Sequence, residues 1–130
     1  MALNKNLKIY LFLSVWGEEY RKYLTEFCFP SLLSSNNIQL LKNTKSKILI
    51  ASPITDWNKI KNQKTFKELQ KFVKLIHIKI PEKDTKTSNC NHMGLGHLKA
   101  TEICFKDQAL GVALTPDLIL SNGCIELIIK

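Results

Sequence analysis

Arginine is almost absent from this sequence. Of the 19 basic residues in the 130-residue chain only Arg21 is arginine, and the others are lysines scattered from Lys5 to Lys130. Proteins that read nucleic-acid sequence use arginine for bidentate contacts to bases and phosphates, so specific nucleic-acid recognition is not expected. The formal net charge is nevertheless +8. We interpret the densest lysines, within residues 59–74, as a solvated helix face; the alternative is a patch that attracts acidic partners.

Long apolar runs and paired cysteines are also lacking. The apolar run at residues 9–15 is too short to span a membrane, and no small-residue cleavage site follows it. The four cysteines are far apart in the sequence, and no CxxC occurs. These absences predict a cytoplasmic protein with reduced thiols and no transmembrane segment. With 45% hydrophobic and 23% charged residues, the chain is expected to form a single domain over residues 1–130.

Four short apolar segments alternate with helical patterns along the chain. The segments predict strands at residues 8–15, 47–51, 73–80 and 110–114. Helices are predicted from Glu18 to about residue 33 with a kink at Pro30, within residues 57–72, and over residues 92–107 and 122–130. This alternation predicts an α/β, three-layer Rossmann-like domain with a four-stranded, mainly parallel sheet. For the common strand order 3-2-1-4, ligands bind between strands one and four, beside residues 16–18 and 115–117.

Glycine-rich phosphate loops are missing as well. The first strand is followed by Glu18 and Glu19, whose carboxylates would repel a pyrophosphate at that helix start, and no Walker sequence occurs. A bound nucleotide would therefore need another positive partner, such as a divalent metal. Asp117 follows the fourth strand and is the candidate ligand for Mn²⁺ or Mg²⁺. The alternative is that Asp117, after Pro116, is an ordinary turn residue.

The order of segments resembles the nucleotide-binding half of a GT-A-type glycosyltransferase, a nucleotide-diphospho-sugar transferase-like fold. The resemblance covers about residues 8–127 and rests on KIYLFLSVWGEEYRKYLTEFCFPSLLSS, KILIAS and GLGHLKATEICFKDQALGVALTPDLILSNG. It implies sugar transfer from a nucleotide-sugar donor to an unknown acceptor. It further implies nucleotide contacts from Trp16, Gly17, Glu18 and Asp56, and metal binding by Asp117.

The chain departs from that family in two respects. The family's acidic motif usually has two or three aspartates, whereas Thr115 and Pro116 precede a single Asp117. The family's domains also continue with an acceptor-binding half, so the resemblance implies a truncated transferase with no candidate catalytic base. The alternatives are a non-catalytic remnant or interaction module, and an unrelated small Rossmann-like regulatory protein.

The longest polar stretch, residues 81–91, is predicted to be a loop over the crevice, where His97 or Lys99 could meet a phosphate. The spacing of Cys90, His92 and His97 fits no common zinc site. No G-x-S-x-G sequence supports nucleophilic catalysis. Self-association is expected, because the fourth strand would lie at an open edge and residues 124–129 are largely apolar.

Overall fold

A completely buried central strand, β1 (Ile9–Ser14), organises the fold. Its six residues are apolar except for Tyr10 and Ser14, and none of them is exposed. The computed structural model describes residues 5–129. A strand that is apolar on both faces needs a covering layer on each side, and helices pack on both faces of this one.

β1 lies inside a four-stranded sheet with β2 (Lys47–Ser52), β3 (Lys74–Lys79) and β4 (Leu110–Ala113). The order is β3-β2-β1-β4, and every neighbouring pair is parallel. The predicted fold class, strand order and pairing are thus confirmed. β3 and β4 are the two edge strands of the described sheet.

Short helical segments cover one face of the sheet. They are α1 (Glu18–Tyr23), a π-helical turn (Leu24–Cys28), α2 (Phe29–Leu32), a 3₁₀ turn (Ile38–Leu41), α3 (Ile54–Ile60), α4 (Lys64–Leu69) and α6 (Cys124–Ile129). Their apolar side chains form one continuous core with alternate residues of β1 and β2. The π-helical turn directly precedes Pro30, which cannot donate a backbone hydrogen bond. The first helix therefore accommodates the proline by widening one turn rather than by ending there.

One long helix, α5 (Asn89–Asp107), covers the other face. His92, Gly96, Ala100 and Cys104 form its buried stripe, four residues apart. Gly96 is essential to this packing, because a Cβ atom there would lie 2.5 Å from the Cβ of Ala51. The Ser14 hydroxyl, beneath the same turn, donates a hydrogen bond to the Met93 carbonyl at 3.0 Å. These contacts hold the first half of α5 against the carboxyl ends of β1 and β2.

The segment after β4 is held in place by a buried asparagine. The Asn37 side chain is fully shielded from solvent; its amide donates to the Ser121 carbonyl at 3.0 Å, and its carbonyl accepts from the Ile125 amide at 3.0 Å. Both ends of the turn that leads into α6 are therefore fixed. No helix within residues 5–129 is long and apolar enough to cross a bilayer.

The connections place a topological switch point between β1 and β4. The crossover from β1 to β2 runs through α1 and α2 on one face, whereas the crossover from β3 to β4 runs through α5 on the other. The chain segments that leave the carboxyl ends of β1 and β3 therefore diverge to opposite faces of the sheet, and strand order reverses at β1. In open parallel sheets, that divergence leaves a crevice suited to ligands.

Candidate functional site

A cavity of about 200 Å³ occupies the switch point. Its floor is formed by the carboxyl end of β1, including Ser14 and Trp16, and one wall by Thr115 and Asp117 after β4. The first turns of two helices close it, through Tyr20 of α1 and Cys90 of α5. We call this cavity the switch-point crevice. Of the residues beside which the sequence predicts a crevice, Trp16 and residues 115–117 border this cavity, whereas Gly17 and Glu18 do not.

Trp16 is the largest ring at the crevice, and its position is fixed from behind. The indole packs edge-on against the His92 imidazole, with ring centroids 4.7 Å apart. His92 is only 2% exposed, and its Nε2 atom has no hydrogen-bond partner in the described part of the chain. The indole thus covers a buried imidazole on one side and borders the crevice on the other. Together with the half-exposed Tyr20, it supplies flat apolar surface for a ring-shaped ligand.

Among residues 5–129, Asp117 is the only one whose carboxylate borders the crevice. It is exposed and belongs to a turn closed by a hydrogen bond from the Leu118 amide to the Thr115 carbonyl, at 3.1 Å. Its charge reaches into the neighbouring core. The pKa of the Cys28 thiol is raised to about 12, chiefly by burial and further by the negative charge of Asp117.

The amino end of α5 brings positive polarity to the crevice. Ser88 caps this helix, its hydroxyl accepting from the Asn91 amide at 3.1 Å, and Asn89 and Cys90 border the crevice. The first turn of α5 contains no acidic side chain, whereas α1 begins with two glutamates. A negatively charged ligand is therefore stabilised at α5 rather than at α1. The sequence-based prediction began this helix three residues later and missed the contribution of Asn89 and Cys90.

Three of the predicted nucleotide contacts lie beside the crevice rather than in it. Gly17 adopts a φ of 84°, which favours glycine, and its amide donates to Asp56 Oδ1 at 3.2 Å. Asp56 is 3% exposed and forms an ion pair with Arg21, so it ties the β1–α1 turn to α3. Glu18 borders a separate surface cleft that also contains Lys59. None of these three residues lines the switch-point crevice.

The two predicted phosphate contacts on α5 are also placed elsewhere. The His97 ring packs edge-on against Phe12 with centroids 5.4 Å apart, and burial lowers its pKa below the ordinary value. Its Nε2 atom is buried without a hydrogen-bond partner in residues 5–129. Lys99 donates from Nζ to the Lys79 carbonyl at 2.9 Å, at the end of β3. β3 is separated from the crevice by β2 and β1.

The donor set restricts what metal the crevice could hold. Within residues 5–129, no three histidine, cysteine, aspartate or glutamate side chains are close enough together to bind a metal ion. Cys90, His92 and His97 therefore do not form a zinc site in the described structure. Asp117 supplies one carboxylate, so a divalent cation fits here only if a phosphorylated ligand completes its coordination shell.

Comparison with known proteins gives no relative. No protein family, curated protein or solved structure matches the chain. The crevice itself is therefore the guide to function, and the resemblance to GT-A-type transferases stays a prediction.

Proposed function

We propose that this chain is a glycosyltransferase-like domain whose switch-point crevice binds the nucleotide part of a nucleotide-sugar donor. The observation that carries the proposal is the arrangement around one cavity of Trp16, Asp117 and the amino end of α5. A ring, a carboxylate and a positively polarised helix end match, in turn, a base, a metal ion and a diphosphate. The three groups come from three separate segments that meet only in the folded chain.

The size of the crevice limits which part of the ligand is enclosed. Sites that enclose a whole drug-sized ligand usually measure at least ~300 Å³, and this cavity measures about 200 Å³. We infer that the base or the ribose fills the space against Trp16 and Tyr20. The diphosphate then extends along the surface between Asp117 and the first turn of α5.

A divalent cation is part of the proposal only together with the diphosphate. Asp117 is exposed and single, and one carboxylate binds Mg²⁺ or Mn²⁺ weakly without further oxygen ligands. When bound, such a cation would neutralise negative charge on the diphosphate leaving group. The residues of the chain itself have separate tasks: Trp16 holds a ring, α5 attracts the phosphates, and Asp117 sets the position of the cation.

A second candidate is a module that binds the donor without transferring the sugar. Besides Asp117, the described residues that border the crevice include no other aspartate or glutamate and no histidine. If Asp117 holds the cation, no carboxylate or imidazole at the crevice is left to act as a general base. Donor binding without turnover would favour this candidate, and release of nucleotide from a nucleotide sugar would favour the transferase.

Calorimetry with uridine and guanosine diphosphates, each with and without Mn²⁺, tests the proposal. We expect Mn²⁺ to strengthen binding to the wild-type chain, and Asp117→Asn to abolish that metal-dependent part while leaving the fold intact. Trp16→Ala should weaken binding with or without the metal. Glu102→Gln is the matched control, because this exposed carboxylate on α5 does not border the crevice. No binding of either nucleotide at millimolar concentration would refute the proposal.

A further inference from the structure

The end of the sheet opposite the crevice contains a second, strongly basic cavity. It measures about 570 Å³ and lies at the amino ends of β1, β2 and β3. Six lysines border it: Lys8, Lys42, Lys45, Lys47, Lys71 and Lys74. Asp107 is the only acidic residue in its lining within the part of the chain that the structure describes. We call it the lysine cavity; its surplus of five positive charges is a large part of the net +8 of the chain.

Two of these lysines are held at the floor of the lysine cavity. Lys8 donates from Nζ to the Asp107 carbonyl at 2.9 Å, and the Lys47 ammonium lies 5.5 Å from the centre of the Tyr10 ring. The Tyr10 hydroxyl donates to the Asp107 carboxylate at 2.8 Å. Burial and that carboxylate raise the pKa of Tyr10 to about 12. The single negative charge of the cavity is thus already engaged with Tyr10.

The other four lysines are exposed around the rim. Lys42, Lys45, Lys71 and Lys74 form no ion pair and no side-chain hydrogen bond with any part of residues 5–129. No ion pair with a described residue balances their charges. Such a concentration of like charge destabilises the folded state and attracts anions to the cavity.

The sheet register brings two of the positive charges side by side. Tyr10 is paired with Lys47, and Lys47 with Lys74, in one row across three parallel strands. Like charges directly opposite each other on neighbouring strands are unfavourable. An anion seated over this row would relieve the repulsion between Lys47 and Lys74. The register of the sheet therefore fixes the backbone positions of Tyr10, Lys47 and Lys74 relative to one another.

We propose that the lysine cavity binds a small, multiply phosphorylated anion. Lysine ammonium groups recognise phosphate as point charges, without the planar geometry of arginine. A concave cavity of about 570 Å³ has room for a compact ligand, whereas a duplex would need an extended basic surface. The shared chemistry of the ligands is a chain or cluster of phosphates, whether free or attached to a nucleoside. The site is separate from the switch-point crevice and does not depend on the function proposed for it.

Titration of the full chain with tripolyphosphate and with a nucleoside triphosphate, without metal, tests this proposal. We expect both to bind, and Lys42→Gln/Lys74→Gln to weaken both by about tenfold. The matched control is Lys61→Gln/Lys86→Gln, which removes the same charge from exposed lysines outside the lysine cavity and should leave affinity within about twofold. Thermal unfolding of each variant checks that the fold is retained.

A second variant is expected to change phosphate affinity in the opposite direction. Asp107→Asn removes the carboxylate that borders the lysine cavity and keeps a side-chain oxygen that can accept from Tyr10, so phosphate binding should strengthen. Equal losses of phosphate affinity in the Lys42→Gln/Lys74→Gln and Lys61→Gln/Lys86→Gln variants would overturn the proposal, because affinity would then follow net charge alone. Absence of tripolyphosphate binding at millimolar concentration would also overturn it. So would a short single-stranded oligonucleotide that binds where tripolyphosphate does not.

Discussion

Adding one methyl group to Gly96 is predicted to dislodge α5 from the sheet. A Cβ atom at this position would lie 2.5 Å from the Ala51 Cβ, and it would overlap the Ser14 hydroxyl. The hydroxyl can rotate away only by giving up its 3.0 Å hydrogen bond to the Met93 carbonyl. The Ala51 Cβ can yield only if the backbone of β2 moves. The helix must therefore shift outward over the carboxyl ends of β1 and β2.

The expected change in the free energy of unfolding is the sum of three contributions, two destabilising and one stabilising. Overpacking a tight contact costs ~1–3 kcal/mol. Loss of the Ser14–Met93 hydrogen bond adds about 1 kcal/mol, and the better helix propensity of alanine returns about 1 kcal/mol. Gly96→Ala should thus lower the free energy of unfolding by about 1–3 kcal/mol, which lowers Tm by roughly 4–12 °C for a chain of this size.

Gly94 provides the control within the same helix. A Cβ atom at Gly94 would meet nothing within 4 Å, so Gly94→Ala should raise stability by up to ~1 kcal/mol. Urea and thermal denaturation followed by circular dichroism measure both variants. Opposite signs are expected for the two substitutions. A Gly96→Ala variant at least as stable as the wild-type chain would contradict the close packing of α5 against β1 and β2. It would also contradict the position of the first turn of α5 at the crevice.

Three further predictions concern other parts of the fold. Asp56→Asn should destabilise the chain by about 2–3 kcal/mol, because it leaves the Arg21 guanidinium without its buried partner. In a double-mutant cycle, adding Arg21→Gln should recover part of that loss. Fully additive losses of stability would contradict the pairing. Burial lowers the pKa of His97 in the folded chain below its ordinary 6.5. As the pH falls below that value, the unfolded chain takes up a proton at His97 more readily than the folded chain, so the free energy of unfolding decreases. Urea titrations from pH 8 to 5.5 should therefore show a shallower decline for His97→Gln than for the wild type, and identical slopes would contradict this. The chain should self-associate through the uncharged edge of β4, since exposed lysines protect the other edge of the sheet, β3. Ala113→Lys should shift the sedimentation of the chain toward monomer. A wild-type chain that is monomeric at high micromolar concentration would refute this self-association.

The architecture could be predicted because its signals are local. Each strand is a short apolar run between polar segments, and the alternation of strands with helices restricts the topology to few choices. The same reasoning predicts Trp16 and Asp117 at one crevice, since each lies within four residues after the end of a strand. In a parallel sheet the carboxyl ends of the strands share one edge, so chain order alone brings these two residues near each other.

Side-chain pairing between distant segments could not be predicted. Asp56 looks like a ligand carboxylate in the sequence, but it is buried against Arg21, 35 residues earlier. The start of α5 was missed because Ser88 and the polar residues that follow it carry no apolar periodicity. The lysine cavity was missed for a similar reason, because three separate parts of the chain supply its lysines. Only the parallel register of the strands brings those charges together.

Paramagnetic broadening by Mn²⁺ is the most direct test of the crevice as a donor site. In amide spectra of the chain with uridine diphosphate, added Mn²⁺ should broaden the signals of Trp16, Cys90 and Asp117, which border the crevice. The amides of Lys47 and Lys74 lie at the opposite end of the sheet and should stay sharp. Asp117→Asn should remove the broadening, and Mn²⁺ without nucleotide should cause little. Broadening centred elsewhere, or unchanged in Asp117→Asn, would contradict the proposed site.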